Sequence, residues 1–367
     1  MRTLAVGISH FLLCSFLVVA GAAYCAVPAN DDPALQLRTV EVTDSAAPRG
    51  VPVGYVITPA GFFHPSCVRH VGADEVLDMR SGAITDARGT VRQVATVCEY
   101  PRFTTSGERI DTAVSARLHP ADAMVVISIG NETDGDGISL PSDTVSANGF
   151  DRYTGWIESV WAHPVPTAAI SYQQVDFSVP AAPANTAAST NFFFPGAQSL
   201  DQTSQHWTII QPVLGWNGYP NLHAWTIASW NCCVDGNVNV SDYLTVQTGH
   251  AIRGTMQGAG CVAATGVCAT WKIVTKDVNT GQSVTLNSTA YGQAFNWVFA
   301  GALEVYGVAS CNDLSPSGHM DFTGIVTRNL AGQNVALDYY TDTPSSSVWC
   351  GFGTYTLTDH TAYRLTF

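Results

Sequence analysis

The chain has 367 residues, and 16 basic against 29 acidic side chains give it a formal net charge of −13. This acidic balance disfavours nucleic acid and anionic membrane surfaces as partners. Charged residues make up only 12% of the sequence, so the surface is expected to be mostly neutral-polar. Such a surface is compatible with work in acid, because few carboxylates there change charge.

The first 25 residues are typical of a secretory signal peptide. A single charge, Arg2, precedes an apolar run over residues 11–23, and small residues follow it. The run is too short and too early for a spanning helix, and no later window offers about 18 uninterrupted apolar residues. We therefore expect a secreted, extracellular protein that does not span a membrane.

Cysteines and glycosylation signals agree with export. Cleavage can fall after Ala23, Cys25 or Ala26. With a signal peptide of residues 1–25, Cys14 and Cys25 are removed, and eight cysteines remain, an even number suited to disulfides in an oxidising compartment. Asn-x-Ser/Thr sequons stand at Asn131, Asn239 and Asn287. In a eukaryotic host they predict a glycoprotein.

Residues 26–150 form a predicted N-terminal accessory segment or pro-segment that is smaller and β-rich. Cys67 and Cys98 are its only cysteines after Cys25, so we expect them to pair. His64 and His70 flank Cys67, but the even cysteine count favours a disulfide over a metal site, and no metal or cofactor is predicted. Strands are predicted at residues 53–57, 91–97 and 123–129.

Residues 151–367 change to short strands separated by Gly, Pro, Asn and Ser, with almost no helical periodicity. This texture predicts an all-β domain, an antiparallel two-sheet β-sandwich of the concanavalin-like jelly-roll type. The predicted strands are 169–179, 191–195, 207–214, 224–230, 244–251, 269–276, 283–286, 295–308, 319–327, 335–340 and 353–357.

Six cysteines lie in this second part. Cys232 and Cys233 are adjacent, and a disulfide between them would close a strained ring, so each is expected to pair elsewhere. Cys261 and Cys268 flank a Gly-containing hairpin that a disulfide can close.

Residues 207–230 are the most distinctive stretch, with two aromatic-rich strands around a Gly/Pro/Asn turn. Strand alternation places Trp207, Ile209 and Gln211 on one face. Gln211 therefore points the way bulky apolar residues point. It is either a core glutamine whose partners fix the strand register, or an amide with a role in a site.

Several catalytic signatures are missing from the sequence. There is no G-x-S-x-G elbow, no H-E-x-x-H, no phosphate-cradling G-x-x-x-x-G-K and no dinucleotide fingerprint. Serine, cysteine or zinc hydrolysis is therefore unsupported. Carboxylate or amide chemistry remains.

Residues 153–307 resemble the secreted glutamic peptidases, the eqolisin family. The most specific similarities are the NTGQSVT turn and an apolar-apolar-Gln-x-x-x-x-aromatic pattern around Gln211. The resemblance implies acid peptidases on a two-sheet sandwich, with an inhibitory propeptide in the position of residues 26–150. The similar pieces are YTGWIESVWA, DFSVP, IIQPVLGWNG, AWTIASW, LTVQTGHAIRGTM, WKIVTKDVNTGQSVTL and NWVFAGALEVYG.

The resemblance also implies a site. A glutamine of an early strand and a glutamate of a late strand form the catalytic pair of that family, and their matches are Gln211 and Glu304. The sequence departs from the family at NFFFPGAQ and AWTIASW, where supporting carboxylates are missing. This departure fits a divergent peptidase, nearer the neprosin-like relatives, or another activity on the same scaffold. The aromatic residues expected to bind substrate are Trp207, Trp216, Trp225 and Tyr306.

The implied chemistry is coherent. The Glu304 carboxylate acts as general base on a water and then as acid towards the leaving amine. The Gln211 amide donates to the oxyanion and keeps that donor across the working pH range. We expect a monomer that acts on a protein or peptide substrate.

Two other classes stay open. An aromatic-lined sandwich face is also typical of proteins that bind or cleave polysaccharides, although aromatic rings more often lie in the core. A structural wall protein without catalysis is the third class. Fold alone does not separate them, but the positions of Gln211 and Glu304 do. An enzyme pair is expected within about 6 Å in one groove, whereas aromatic residues in that groove with the two groups apart favour a lectin or lyase.

Overall fold

The computed structural model describes residues 50–94, 97–105, 107–110, 153–166, 168–186, 189–199, 208–219, 222–289, 292–342, 350–358 and 361–367. They all belong to one compact unit, Leu37–Phe367. The predicted signal peptide, the sequon at Asn131 and the strand expected at residues 123–129 lie outside the described residues.

The described residues are almost entirely β-structure, as predicted. Short 3-10 turns lie at Pro65–Cys67, Val234–Gly236 and Cys311–Asp313. The strands before residue 111 are β1 (Val56–Thr58), β2 (Gly61–Phe63), β3 (Val68–His70), β4 (Val76–Leu77), β5 (Ala83–Thr85), β6 (Val91–Val94), β7 (Arg102–Phe103) and β8 (Arg109–Ile110).

The strands after residue 152 follow in chain order. They are β9 (Tyr153–Val165), β10 (Ile170–Ser178), β11 (Thr190–Gln198), β12 (Ile209–Trp216), β13 (Trp225–Cys232), β14 (Val238–Val240), β15 (Leu244–Thr245), β16 (Ala251–Ala259), β17 (Thr270–Asp277), β18 (Ser283–Thr289), β19 (Trp297–Val308), β20 (His319–Asn329), β21 (Ala336–Asp342), β22 (Gly353–Thr358) and β23 (Ala362–Thr366).

These strands form three sheets. The front sheet has the order β21-β9-β19-β11-β12-β13-β14-β3, with β15 paired to β13. The back sheet has the order β22-β23-β20-β10-β16-β17-β18-β4-β5-β6, and a small cover sheet has the order β1-β2-β7-β8. The front and back sheets make the predicted β-sandwich, and the cover sheet packs on the outer face of the front sheet.

Burial along the strands reflects these layers. In the back sheet β17 alternates between buried and exposed residues, because one of its faces meets the core and the other meets solvent. In the front sheet β11, β12 and β13 are buried at every position. Their inner faces pack on the back sheet in an inner core, and their outer faces pack on the apolar residues of the cover sheet in an outer core. The inner core includes Leu214, Ile227 and Leu303, and the outer core includes Phe62, Phe192 and Trp230.

Two glycines mark close contacts, one between the front and back sheets and one between neighbouring strands of the front sheet. A side chain at Gly301 of β19 would overlap the ring of Phe322 on β20, in the inner core. Gly215 of β12 lies below the ring of Phe192, whose Cε1 atom would be 3.0 Å from an added Cβ. Larger residues at either position would force neighbouring side chains or strands to move.

The N-terminal strands also extend both sheets of the sandwich. Strand β3 pairs in parallel with β14 at the front-sheet edge, and β4 pairs in parallel with β18 at the back-sheet edge. The ion pair between Arg92 and Glu75 and the hydrogen bond between His70 Nε2 and Asp242, 2.7 Å long, lie in the same region. The N-terminal part therefore pairs with an edge strand of each sheet and also covers the outer face of the front sheet.

Most predicted strands of the second half correspond to observed ones within a few residues. The strand expected at residues 244–251 was wrong, because the chain leaves β15 after Thr245 and turns through Gly249, at φ +84°, before β16 begins. Strand β9 was not predicted, since its sequence mixes aromatic, charged and proline residues.

Four disulfides form among the described residues. Cys67–Cys98 forms as predicted, Cys261–Cys268 is the pairing that the Gly-containing hairpin allowed, and Cys311 pairs with Cys350. The expectation that Cys232 and Cys233 pair elsewhere was wrong, because they form a disulfide with each other. The other six described cysteines form the three bonds named above, so none of them is available to Cys232 or Cys233.

Candidate active site under the cover sheet

Glu304 and Gln211 both point to the outer face of the front sheet. On β19, Ala302 and Tyr306 belong to the outer core, whereas Leu303 and Val305 belong to the inner core, so Glu304 faces outward. On β12, Ile209 and Val213 belong to the outer core, and Gln211, two residues from each of them, lies on the same face. The face predicted for Gln211 from strand alternation is the one observed.

The carboxyl of Glu304 is fully buried. Burial raises its pKa from 4.5 to about 8, and hydrogen bonds from Tyr306 and Trp156 act in the opposite direction without offsetting it. Trp156 lies directly across from Glu304 in the β9–β19 ladder. We call the structure with the cover sheet in place the covered state. In it, a carboxyl with this pKa is mostly protonated at neutral and acid pH.

The hydroxyl of Tyr306 joins Glu304 to the cover sheet. Its oxygen lies 2.6 Å from Glu304 Oε1 and 2.7 Å from the carbonyl oxygen of Thr58, and the Gly61 backbone N–H donates to it at 2.9 Å. A phenol has one proton, so it cannot donate to both oxygens at once. The Thr58 carbonyl can only accept. All contacts are satisfied when a protonated Glu304 donates to the phenol and the phenol donates to Thr58.

Gln211 is fully buried, and both polar atoms of its amide lack a hydrogen-bond partner among the described residues. It pairs with Trp230 on β13. On its other side is Gly196 of β11, where an added Cβ would lie 3.4 Å from Gln211 Cγ and 3.3 Å from a Phe299 ring carbon. Gln211 is therefore not a core glutamine whose hydrogen bonds fix the strand register, because its amide has no partner among the described residues.

The two predicted catalytic side chains lie on the same face of the front sheet, but they are not at neighbouring positions across the strands. Glu304 pairs with Phe192 of β11, and Phe192 pairs with Gly215 of β12. Gln211 lies four residues from Gly215, which corresponds to about 13 Å along the strand and about 10 Å across two strand spacings. The expectation of a pair within about 6 Å in one groove is therefore not met in the covered state, in which Gln211 and Glu304 are not in contact.

The predicted aromatic residues divide between the two faces. Tyr306 contacts Glu304, as described above, and Trp207 lies outside the described residues. Trp216 and Trp225 do not line the outer face, because they point into the inner core and their rings pack edge to face with centroids 5.4 Å apart. The even-numbered positions of β12 point inward, which accounts for Trp216.

Several residues of the site were not identified from the sequence. Thr58, Gly61 and Phe62 come from the cover sheet, whose sequence carries no motif, and the Phe62 ring packs edge to face on Tyr306 with centroids 5.1 Å apart. Trp156 lies within YTGWIESVWA, but only the pairing of β9 with β19 places it next to Glu304.

A second buried carboxyl, Glu158, lies on the inner side of the front sheet. Burial raises its pKa to about 9, and it accepts a hydrogen bond from the Gly353 N–H of the back sheet at 3.1 Å. Its position between the sheets separates it from the outer face. Perturbed pKa alone therefore does not distinguish the two glutamates, whereas position does.

The described residues contain no group of three or more His, Cys, Asp or Glu side chains arranged to hold a metal ion. Cys67 is in a disulfide, and the ring of His64 stacks on Tyr100 with centroids 3.6 Å apart. Within the same residues, the helical turns are too short to cross a membrane.

No family model and no curated protein matches the sequence. Among solved structures, the chain is similar to scytalido-glutamic peptidase with a transition state analog inhibitor, at a TM-score of 0.41 and 13% identity, over 59% of this chain and 100% of that chain. It is also similar to SCP-B, a member of the eqolisin family of peptidases, in a complex with a tripeptide, at a TM-score of 0.37 and 13% identity over the same shares. Lectin II from Ulex europaeus is similar at a TM-score of 0.24 and 11% identity, over 60% of this chain and 88% of that chain.

Proposed function

We propose that the protein is a secreted peptide-bond hydrolase of the glutamic type, with Glu304 as its acid–base group and Gln211 as an amide that hydrogen-bonds the bound peptide. The observation that carries the proposal is the docking of peptide backbone beside the Glu304 carboxyl. The Thr58 carbonyl and the Gly61 N–H both meet the Tyr306 hydroxyl, which contacts Glu304. A face that holds the chain's own backbone in this way suits a peptide substrate.

Glu304 has the properties that the reaction requires. In the covered state burial raises its pKa, and removal of the cover exposes it to water, so its pKa falls towards the usual range. The carboxylate then takes a proton from a water that attacks the peptide carbonyl, and returns the proton to the leaving amine. This cycle needs no metal.

The cover sheet supports a latent form. We infer that residues 26–150 act as an accessory or pro-segment that blocks the site, because β1 and β2 occupy the outer face over Glu304. Four disulfides are typical of proteins that fold in an oxidising compartment, which supports secretion.

A peptide substrate is favoured over a polysaccharide by two observations. The group that lies on the site is peptide backbone, and Trp216 and Trp225, which could have stacked on sugar rings, lie in the inner core. The amide of Gln211, buried and without a partner among the described residues, offers one donor group and one acceptor, as a peptide group does.

The test is cleavage of denatured casein by the full chain from strongly acidic to neutral pH, with pepstatin present, before and after acid incubation. We expect pepstatin-resistant cleavage after acid incubation, and its loss in Glu304→Gln. Glu158→Gln is the matched control, since it changes a similarly buried carboxyl on the other side of the sheet and should keep the activity. Absence of cleavage by the wild type in all conditions contradicts the proposal and makes a polysaccharide-binding screen the next experiment.

A further inference from the structure

We propose that the Tyr306 phenol, rather than the Gln211 amide, donates the hydrogen bond to the scissile carbonyl oxygen, and that it does so as Glu304 takes the proton of the attacking water. This inference rests on the proposed function. It makes Tyr306 a catalytic residue and gives Gln211 the role of binding the peptide away from the cleaved bond.

The geometry of the covered site carries the inference. The Tyr306 hydroxyl already donates to a peptide carbonyl, that of Thr58, at 2.7 Å. The same oxygen is 2.6 Å from Glu304 Oε1. A substrate carbonyl in the place of the Thr58 carbonyl would therefore contact the same hydroxyl group that contacts Glu304, the carboxyl that activates water.

The single proton of the phenol makes this contact selective for the transition state. While Glu304 is ionised, the charged carboxylate is the stronger acceptor and holds the phenol proton. Once Glu304 has taken a proton from water, it becomes a donor to the phenol, and the phenol proton is free for the carbonyl oxygen. The hydrogen bond thus forms as negative charge develops there, and such interactions raise kcat rather than ground-state binding.

The reaction balances in two steps. In the first, water loses a proton to Glu304, its oxygen bonds to the carbonyl carbon, and the carbonyl π pair moves to the oxygen that Tyr306 contacts. In the second, that pair reforms the carbonyl, the C–N bond breaks, and the proton on Glu304 passes to the amine nitrogen. Glu304 ends ionised, and the Tyr306 hydroxyl again donates its hydrogen bond to the Glu304 carboxylate.

Gln211 is too far away to share this oxygen in the observed arrangement. It lies two strands from Glu304 and about 13 Å along the sheet, the length of about four extended residues. Its amide atoms are buried and have no partner among the described residues. An extended peptide that passes Glu304 on this face would bring another of its peptide groups to Gln211.

The test compares steady-state kinetics of four acid-incubated full-length proteins on one fluorogenic peptide of at least eight residues. They are the wild type, Tyr306→Phe, Gln211→Ala, and Tyr219→Phe as a matched control, since Tyr219 is a buried tyrosine of the same outer core. We expect Tyr306→Phe to lower kcat by about 100- to 1,000-fold, the usual effect of losing an oxyanion donor, with KM nearly unchanged. Gln211→Ala should mainly raise KM, and Tyr219→Phe should behave as the wild type.

The inference is overturned if Tyr306→Phe keeps more than a tenth of the wild-type kcat, or if Gln211→Ala lowers kcat as strongly as Tyr306→Phe does. A wild type that cleaves nothing contradicts the proposed function instead, so the two failures differ. If Tyr306→Phe does not fold, 3-fluorotyrosine at position 306 keeps the hydroxyl and makes it a stronger donor. An increase in kcat then supports the inference, and an unchanged kcat overturns it.

Discussion

The charge of Glu304 and the position of the cover sheet depend on each other through one hydroxyl group. With Glu304 protonated, Tyr306 can donate to the Thr58 carbonyl and hold the cover in place. With Glu304 ionised, the phenol turns to the carboxylate, and the Thr58 carbonyl loses its donor. Protonation of Glu304 therefore stabilises the covered state. Under the proposed function, acid incubation releases the cover by breaking other contacts of the N-terminal part, such as the Arg92–Glu75 ion pair, because the pKa of Glu75 is lowered and its stabilisation is lost as the pH falls.

The first prediction concerns pH. The pKa of Glu304 is about 8 when covered, above its usual 4.5, so its contribution to stability is complete below about pH 4.5 and is lost as the pH rises through about 8. Glu304→Gln keeps a neutral group at all pH values. Its free energy of unfolding should match that of the wild type at pH 4 and exceed it at pH 8, by a few kcal/mol as an order of magnitude. Denaturant unfolding at both pH values measures this, and a difference that does not change with pH contradicts it.

The second prediction concerns Gln211. A buried amide without partners costs about 1–3 kcal/mol, so Gln211→Met, which keeps the volume, should raise stability by roughly 1 kcal/mol or more while weakening peptide binding. Gln173→Met is the matched control. Gln173 is equally buried, but its amide donates to the Phe299 carbonyl at 2.9 Å, so this substitution should destabilise the protein. Thermal unfolding of the two variants should shift in opposite directions, and a shift in the same direction argues against a special state of Gln211.

Part of the candidate site was predictable from the sequence. Alternation within β12 gave the correct face for Gln211, since a strand has a fixed period of two. The distance between Glu304 and Gln211 along the strands could not be predicted, because the register of β11 against β19 shifts between Phe194 and Gly196. Bulges of this kind depend on packing across the sheet and leave no pattern in one strand's sequence.

Among the elements, the β1–β2 hairpin lies over Glu304, since its Thr58 carbonyl and Gly61 N–H both contact the Tyr306 hydroxyl. Its turn ends at Gly61, which has φ +107°, a conformation that favours glycine. A side chain at Gly61 would also overlap the carbonyl oxygen of Phe103 on β7. The hairpin is therefore sensitive to a single methyl group.

The third prediction follows from this turn. Gly61→Ala should lift the hairpin from Tyr306 and give casein cleavage without acid incubation, with faster hydrogen exchange of the β1 and β2 amides. Gly89→Ala is the matched control, because Gly89 also has positive φ, +81°, but its added methyl group meets nothing within 4 Å. It should cost only about 1 kcal/mol of backbone strain and leave the protein latent. Equal latency in both variants contradicts the role of the hairpin.

Strand pairing also limits the predicted glycosylation. Asn239 is fully buried in β14, between β13 and β3, so its sequon is not accessible in the folded chain. Asn287 pairs with Val76 of β4, and its amide lies 3.4 Å from the Ala73 carbonyl oxygen. The sequons gave no indication of these positions, because both strands acquire their outer neighbours from the N-terminal part.

At the scale of the whole molecule, the predicted β-sandwich is confirmed, because turn residues and short strands report fold class directly. Its relation to residues 26–150 was not predictable. Strands β3 and β4 are three and two residues long, and their partners β14 and β18 are far away in sequence. Pairings this short depend on tertiary contacts rather than on local propensity.

The arrangement of the disulfides has a further consequence for the cover. Cys67–Cys98 lies wholly within the N-terminal part, and the other three bonds lie wholly within residues 232–350. One cut between residues 111 and 152 would thus turn the chain into two polypeptides with no described disulfide between them. Under the proposed function, the N-terminal part would then be an inhibitor subject to mass action, retained at high concentration and lost on dilution, and no reductant would be needed to release it.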